Sequence, residues 1–278
     1  MTTLAPPESA VARPAPAAAA VRRKRRRWIV LALQLALLVA FFGGWQLASS
    51  TGAIDEFLWS KPSSVATRIW DWLGDGTIAD NLWVTLYEAA MAFVIGVGAG
   101  VLAGFALGMS DFWARVLHPY VVVLNAIPRL VFTPLFFILF GLGPSSKIAI
   151  GVSIVFFLAF FNAYQGVREV NRDVANNARM LGATTRRQMT RHVLLPSALT
   201  WILSSLHVCV GFAMIAAIVG EYLGSSEGLG HVISQAQGNL DTTGVMAGIV
   251  VLSLVVVLVE VAVTQAERHL VRWKPSRA

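Results

Sequence analysis

Six apolar runs, most of them about 20 residues long, alternate with polar or glycine-rich segments along the chain. A helix of about 20 apolar residues crosses a hydrocarbon core about 30 Å thick, and it satisfies its own backbone hydrogen bonds in lipid. The pattern therefore predicts an all-α membrane protein with six transmembrane helices, at residues 28–48, 82–107, 120–140, 147–164, 199–219 and 245–266.

Both ends of the chain are more polar than these runs. Residues 1–27 combine an Ala- and Pro-rich stretch with the basic run RRKRRR, which predicts a disordered basic tail, and residues 267–278 predict a second tail. A basic run before an apolar run is also typical of a secretory signal. The 28–48 run is too long for the apolar region of such a signal, so we expect an uncleaved first span.

Residues 49–81 separate the first two spans and contain the stretch KPSSVATRIWDWLGDG. Its apolar side chains recur near helical spacing, and Trp favours the headgroup level of a membrane. This spacing predicts a short interfacial helix on the external surface. A plain loop is the alternative. The other five spans, 82–266, form the predicted core.

The composition excludes an ordinary soluble domain. Hydrophobic residues make up 56% of the chain and charged residues 13%, whereas soluble domains carry roughly 25% charge. The spans and short loops leave no room for a separate soluble catalytic domain. We therefore expect a multi-pass membrane protein.

The basic residues are distributed unequally between the two sides of this predicted topology. The tails, 108–119 and 167–198 together hold 18 of the 22 lysines and arginines, whereas the opposite side holds three. Cytoplasmic loops carry such an excess, so both termini and the 167–198 loop are predicted to be cytoplasmic. The net charge of +7 is thereby explained by orientation, and no nucleic-acid partner is expected.

Glycines recur every four residues on the second span, at Gly96, Gly100, Gly104 and Gly108. This smooth ridge predicts close approach of a neighbouring helix, and it also suits a face that slides during a conformational cycle.

Sequence signals for catalysis or for metal and phosphate binding are weak. The chain has no G-x-x-x-x-G-K-[ST] phosphate loop, its five histidines lack metal-ligand spacing, and its single cysteine lies in an apolar run. We expect no catalytic residue, no metal site and no cofactor bound by this chain.

The third span contains Pro128 and Pro134, each of which removes a backbone donor and weakens the helix locally. Asn125 and Arg129 lie one turn apart there. A charge at this depth usually faces the bundle interior or water, so Asn125, Pro128 and Arg129, with Asn162 of the next span, are candidates for an anion pathway. The alternative is a structural ion pair of Arg129 with Glu88 or Glu260. Proton relays also use intramembrane acids, but interfacial solvation is predicted to suffice for Glu88 and Glu260.

A polar, basic stretch at residues 167–198 is far longer than a turn requires. Asp173 lies near the start of a predicted helix over 175–180, where an acid favours the helix dipole. Gly182 then permits a left-handed turn, a second short helix is predicted over 186–192, and Pro196 suits the first turn of the fifth span. We therefore predict a helix–turn–helix.

The sequence of this stretch, ANNARMLGATTRRQMTRHVLLP, resembles the coupling loop of the ABC-importer permeases of the binding-protein-dependent (type I) family. That loop carries an Ala, a Gly four residues later, and a spacer that ends in an aliphatic residue, any residue, Leu and Pro. The matching positions are Ala178, Gly182, Val193, Leu195 and Pro196. The stretches AIPRLVFTPLFFILFGLGPSSKI and GEYLGSSEGLGHVI are similar to regions of the sulfonate, taurine and nitrate permease group.

The resemblance implies the permease subunit of an ATP-driven importer for a small anionic or organic solute such as a sulfonate, taurine or nitrate. It implies two copies of an ATP-binding ABC subunit, which holds ATP and Mg, and an extracytoplasmic solute-binding protein. It also implies a second copy of this chain in the lipid bilayer of a bacterial plasma (inner) membrane. It places an external gate region at Glu221, Gly228 and Gly230. The residues implied in ATPase coupling are Ala175, Ala178, Leu181, Gly182, Ala183, Val193, Leu195 and Pro196. A self-sufficient secondary transporter or channel is the alternative.

Overall fold

The structure, a computed structural model, describes residues 16–170, 172–183 and 185–270 of the 278-residue chain. Every regular element in these residues is helical. The α-helices are α1 (Pro16–Ser50), α2 (Glu56–Trp59), α3 (Pro62–Gly74), α4 (Thr77–Gly108), α5 (Asp111–Ala126), α6 (Thr133–Phe140), α7 (Pro144–Arg168), α8 (Arg172–Met180), α9 (Arg186–Met189), α10 (Leu195–Gly224), α11 (Leu229–Gly238) and α12 (Thr242–Leu270).

Five helical segments within the described residues are long and apolar enough to cross a membrane. The pair Asp111–Ala126 and Arg129–Phe140 makes a sixth if it is counted as one bent span. The predicted all-α membrane fold is confirmed. The five continuous segments are Trp28–Ser50, Thr77–Gly108, Pro144–Arg168, Arg187–Gly238 and Thr242–Ala266.

The chain divides into two compact units, and the first is Met1–Ser63. In it, the Ser49 hydroxyl donates to the Ser60 carbonyl at 2.9 Å, and the Gln46 side chain accepts from the Ser63 amide at 3.1 Å. Helix α1 begins at Pro16, so the predicted disorder over 1–27 is wrong for residues 16–27. The alanines and basic residues there are strong helix formers that continue the span. Residues 1–15 lie outside the described residues.

The second unit, Ser64–Ala278, is built on α4, α7 and α10. The glycine ridge of α4 lies directly on α7. A Cβ added to Gly100 would overlap the Phe156 carbonyl oxygen, and one added to Gly104 would overlap that of Phe160. The predicted close approach of a neighbouring helix is confirmed. On the other side of α7, a Cβ on Gly166 would lie 2.7 Å from the Cα of Ala198 on α10.

The third predicted span is two helices rather than one. Helix α5 ends at Ala126, a 3₁₀ turn follows at Arg129–Phe132, and the two halves are bent by 74°. Pro128 lies at the break, because its ring excludes the helical backbone geometry of the residue before it. Pro134 lies in the first turn of α6, a position that tolerates a missing amide donor.

Other boundaries differ from the predicted ones because polar end residues continue each helix past its apolar run. Residues 77–81 belong to α4, residues 111–119 of the predicted loop belong to α5, and residues 267–270 belong to α12. The rest of the second predicted tail lies outside the described residues. Helix α3 lies where an interfacial helix was predicted, with Val65 buried and Trp70 exposed. Its placement at a membrane surface stays a prediction.

Candidate functional site

The predicted coupling segment begins with α8 and a left-handed turn. Gly182 has φ +100°, and the amide of Ala183 donates to the Ala178 carbonyl at 2.9 Å, which closes the C-terminus of α8. The predicted left-handed turn is confirmed. Thr185 and Gln188 then form a capping box: the Gln188 amide donates to the Thr185 hydroxyl at 3.3 Å, and the Thr185 amide donates to the Gln188 side chain at 3.1 Å.

The second short helix of this segment is continuous with the fifth span. Helix α9 passes into a π-helical turn at Thr190–Leu194, and α10 begins at Leu195 with Pro196 in its first turn. The predicted helix over 186–192 is confirmed, and it continues through the π turn into the fifth span. A π turn keeps the backbone hydrogen-bonded while it absorbs extra residues in a helix, and such turns are frequent at functional sites.

Helices α8 and α9 enclose a groove of about 530 Å³, which we call the loop groove. Leu181 at its edge is 89% exposed, and Val193 at its base is 6% exposed. Leu195 and Pro196 follow on α10, and the side chain of Ala175 is outside the described side chains. The lining consists of Val174, Asn177, Ala178, Leu181, Gly182, Ala183, Gln188, His192 and Val193.

Arg129 and Asn125 meet at the break of the third span. The Arg129 guanidinium donates to the Asn125 side-chain oxygen at 3.1 Å and to the Leu124 carbonyl at 3.3 Å, and it lies 4.2 Å from the Phe157 ring centroid. Asn162 donates to the Leu158 carbonyl of its own helix at 2.8 Å. The geometry brings Asn125, Pro128 and Arg129 together, whereas the recorded hydrogen bond of Asn162 stays within α7.

The predicted pairing of Arg129 with Glu88 or Glu260 is wrong within the described residues. Glu260 on α12 pairs with His207 on α10, and no recorded contact among the described residues joins Arg129 to Glu88. The expected interfacial solvation is also wrong for Glu88, because only 1% of this residue is exposed.

A second cluster lies at the other end of α4, α7 and α10, and we call it the polar latch: Asn81, Thr85, Glu88, Lys147 and Glu221. Glu221 and Lys147 have no exposed surface. Three successive amides of the chain after α10 donate to this cluster. Gly228 donates to Asn81 at 2.7 Å, Leu229 to Thr85 at 3.0 Å, and Gly230 to Glu221 at 2.7 Å.

The glycines of the predicted external gate are required by this packing. Gly228 has φ +103°, and a Cβ on it would lie 2.6 Å or less from the carboxyl atoms of Glu221. A Cβ on Gly230 would lie 2.8 Å from the Cβ of Glu221. The structure thus brings together all three predicted gate residues. Sequence reasoning missed Asn81, Thr85 and Lys147, although positions 81, 85 and 88 share one face of a helix.

Lys147 connects the polar latch to the broken third span. Its ammonium donates to the carbonyls of Leu142 and Gly143, the latter at 3.2 Å, and lies 5.5 Å from the Phe137 ring centroid. The Phe137 ring also packs on Gly224 near the end of α10, where an added Cβ would lie 2.7 Å from it. The latch therefore contacts α4, α6, α7 and α10.

Comparisons with known proteins agree with one another. Residues 96–272 match the family described as "Binding-protein-dependent transport system inner membrane component". The chain is 31% identical, over 90% of its length and 89% of the relative, to the putative aliphatic sulfonates transport permease protein SsuC of Bacillus subtilis (strain 168). It is also 31% identical to the formylaminopyrimidine transport permease protein ThiX of Halalkalibacterium halodurans, over 78% of this chain and 86% of that protein.

A solved structure of the MetNI methionine ABC transporter, in inward-facing conformations, shares the fold. The similarity has a TM-score of 0.55 at 21% sequence identity. It covers 72% of this chain and 97% of the matched chain, so nearly the whole of that chain has its counterpart here.

Proposed function

We propose, since this chain belongs to the family of binding-protein-dependent transport system inner membrane components, that it forms the pathway for a small organic anion. Membership makes the chain the membrane-embedded permease subunit of an ATP-driven importer, a transport component that is not itself an enzyme. This favours the importer over a self-sufficient transporter or channel. ATP and Mg then belong to a separate ATPase subunit.

The loop groove is the proposed docking site for that ATPase. The observation that carries this assignment is Leu181, which is 89% exposed beside a groove lined by the small residues Ala178, Gly182 and Ala183. Large exposed apolar residues beside a concave surface are typical of protein interaction sites. One chain supplies one such groove. Two ATPase copies that close on ATP therefore call for a homodimer of this chain, with a solute-binding protein on the opposite side.

The helical connection from the loop groove to the polar latch supplies the coupling. Helix α9, the π turn and α10 are continuous, and the 30 residues of α10 span about 45 Å. A displacement imposed at the groove is carried along this rigid helix to Glu221, which lies three residues before the end of α10. ATP-driven closure would thus change the contacts of the segment Gly228–Gly230 at the other end of the core.

The proposed orientation places the loop groove and both termini in the cytoplasm. The excess of basic residues in these segments supports it. Single cysteines in place of Ser63 and Met180 test it, since the native Cys209 is buried. An impermeant thiol reagent should label position 63 on intact cells and position 180 only after permeabilisation. The reverse pattern would invert the topology.

Arg129 is the proposed anion-binding residue. Its recorded contacts are two oxygens of neighbouring residues and one aromatic ring, so no carboxylate among the described residues neutralises its charge. An unneutralised guanidinium at the break of a span suits bidentate binding of a sulfonate or carboxylate. One relative is named for aliphatic sulfonates, which are anions.

The test is uptake into proteoliposomes that contain the permease, its ATPase and its solute-binding protein. With a linear alkanesulfonate as the probe, Arg129→Leu should lower uptake about tenfold, equivalent to about 1.4 kcal/mol, while the complex still assembles. Arg115→Leu is the matched control, because Arg115 contacts only the Asp111 carbonyl of its own helix among the recorded hydrogen bonds. Full uptake by Arg129→Leu would contradict the role of Arg129, and no ATP-dependent uptake of the sulfonate by the unmodified complex would contradict the substrate class.

A further inference from the structure

The polar latch contains two buried carboxyl groups that have fewer hydrogen bonds than buried carboxyl oxygens normally make. Glu88 is 1% exposed and Glu221 has no exposed surface. Both carboxyl oxygens of Glu88 and the Oε1 atom of Glu221 lack a hydrogen-bond partner. Buried polar groups in native proteins are nearly always hydrogen-bonded, so three such oxygens in one cluster require an explanation.

A single proton shared by the two carboxyl groups accounts for two of these three oxygens. The Glu221 carboxyl accepts from the Gly230 amide, and Glu88 lies one helical turn after Thr85, which accepts from the adjacent Leu229 amide. The two carboxyl groups are therefore neighbours, and two ionised carboxylates are both acceptors and cannot bond to each other. The Oε2 atom of Glu221 already accepts from the Gly230 amide, as an ionised carboxylate does, whereas neither oxygen of Glu88 accepts from any donor. A neutral Glu88 whose O–H donates to Oε1 of Glu221 would give two of the three oxygens a hydrogen bond and would remove one of the two negative charges.

The charges around the two carboxyl groups also indicate that the pair holds one proton. Lys147 on α7 interacts electrostatically with both carboxyls, and Glu227 in the segment after α10 is the further acid that acts on Glu88. Helix α11 approaches through the Leu229 and Gly230 amides. One ammonium balances one carboxylate in a buried site, and a second carboxylate beside it would be an uncompensated like charge.

We propose that Glu88 and Glu221 form a proton-binding site that holds one proton, and that this proton keeps the segment Gly228–Gly230 fastened to α4 and α10. The proton resides on Glu88 and is donated to Glu221. Its loss at high pH would place two carboxylates side by side, and the resulting repulsion would release the segment. The site depends on no transported solute, and it stands whether or not Arg129 binds an anion.

Infrared spectroscopy of the full chain in lipid nanodiscs tests directly how many protons the pair holds, because a protonated carboxyl has a C=O stretch that ionised carboxylates lack. At neutral pH the unmodified chain should show this band. Glu88→Gln and Glu221→Gln should each abolish it, because the remaining carboxylate is then balanced by Lys147. Lys147→Met should double the band, since both carboxyls then need a proton. Glu227→Gln and Glu260→Gln are the controls, and both should leave the band unchanged.

The proposal is overturned if the unmodified chain has no such band, or if the band survives either Gln substitution in the pair. If Lys147→Met does not fold, the two Gln variants alone decide. Amide hydrogen exchange supplies the second readout. Relative to intrinsic rates, protection of Leu229 and Gly230 should fall with rising pH in the unmodified chain but persist in Glu88→Gln, whose amide is a permanent donor. A pH-independent protection in both proteins would contradict the fastening role.

Discussion

The two ends of the α4, α7 and α10 core differ in how completely their residues are buried and hydrogen-bonded by the chain itself. At the polar latch, Glu221 and Lys147 have no exposed surface, and side chains of this chain accept three successive amides. At the loop groove, Leu181 is 89% exposed, and a Cβ on Gly182 would meet nothing within 4 Å. Both ends turn the chain at a glycine of positive φ, but only one of these glycines is packed.

This difference separates residues that hold the fold from residues that await a partner. The packed end resists change because each substitution there displaces a neighbour. The open end tolerates change within the isolated chain, so an effect there should appear only in the assembled importer. The following predictions are ordered by their expected effect on the stability of the chain itself.

The largest effect is expected at the contact between α4 and α7, because these two helices extend to both ends of the core. A side chain on Gly104 would overlap the Phe160 carbonyl oxygen, and a backbone group cannot move aside as a side chain can. Gly104→Leu should therefore separate α4 from α7, cost about 3 kcal/mol or more, and reduce the folded protein in membranes to a small fraction. Gly98→Leu is the matched control on the same helix, because nothing lies within 4 Å of an added Cβ there. Equal abundance of the two variants would refute the packing argument.

The two glycines of positive φ allow a direct comparison of the ends. Gly182→Ala should cost about 1 kcal/mol, which is backbone strain alone. Gly228→Ala should cost about 3 kcal/mol, because its backbone region is nearly restricted to glycine and its Cβ must also displace the Glu221 carboxyl. Thermal unfolding of the purified chains measures both. If Gly182→Ala proves the more harmful substitution, the loop groove is packed more tightly than the polar latch.

The apolar pattern was sufficient to predict the membrane fold, and the glycine spacing predicted the close contact of α4 with a neighbouring helix. Pro128 marked the weak point of the third span, although not its division into two helices. These features follow from local properties, namely hydrophobic length, side-chain size and backbone restriction, which a sequence displays directly. The left-handed turn at Gly182 was also predictable, since few residues other than glycine adopt that backbone. The disorder predicted for residues 16–27 failed because basic and Ala-rich residues extend a helix that an adjoining apolar run already supports.

The polar latch was only partly predictable. The family resemblance implies Glu221, Gly228 and Gly230, whereas no sequence pattern marks Lys147 or Thr85 as part of a site. These side chains come from three helices that are distant in the sequence, and only packing brings them to one place. Glu88 was expected to be solvated because it lies close to the end of the predicted span. The folded chain instead covers it with other helices.

A smaller effect is expected from one hydrogen bond of the polar latch. The Thr85 hydroxyl accepts from the buried Leu229 amide at 3.0 Å. Thr85→Val keeps the shape but leaves that amide without an acceptor, so it should cost about 1–3 kcal/mol and speed amide exchange at Leu229. Thr85→Ser retains the hydroxyl and should restore slow exchange. Identical exchange in the Val and Ser variants would show that the hydroxyl does not hold this segment.

The smallest effect on the chain, and the sharpest contrast with the polar latch, is expected at Leu181. Leu181→Gln should leave the unfolding temperature of the isolated permease unchanged, because an 89% exposed side chain contributes little packing. It should nevertheless reduce co-purification of the ATPase about tenfold, equivalent to about 1.4 kcal/mol, since a polar group would replace an apolar contact at the edge of the loop groove. Met180→Gln is the matched control, because Met180 is 86% exposed but lies outside the groove lining, and it should retain the ATPase better. If Leu181→Gln keeps the ATPase at the unmodified level, the groove is not the docking site. If both substitutions weaken retention equally, the contact is with the exposed end of α8 rather than with the groove.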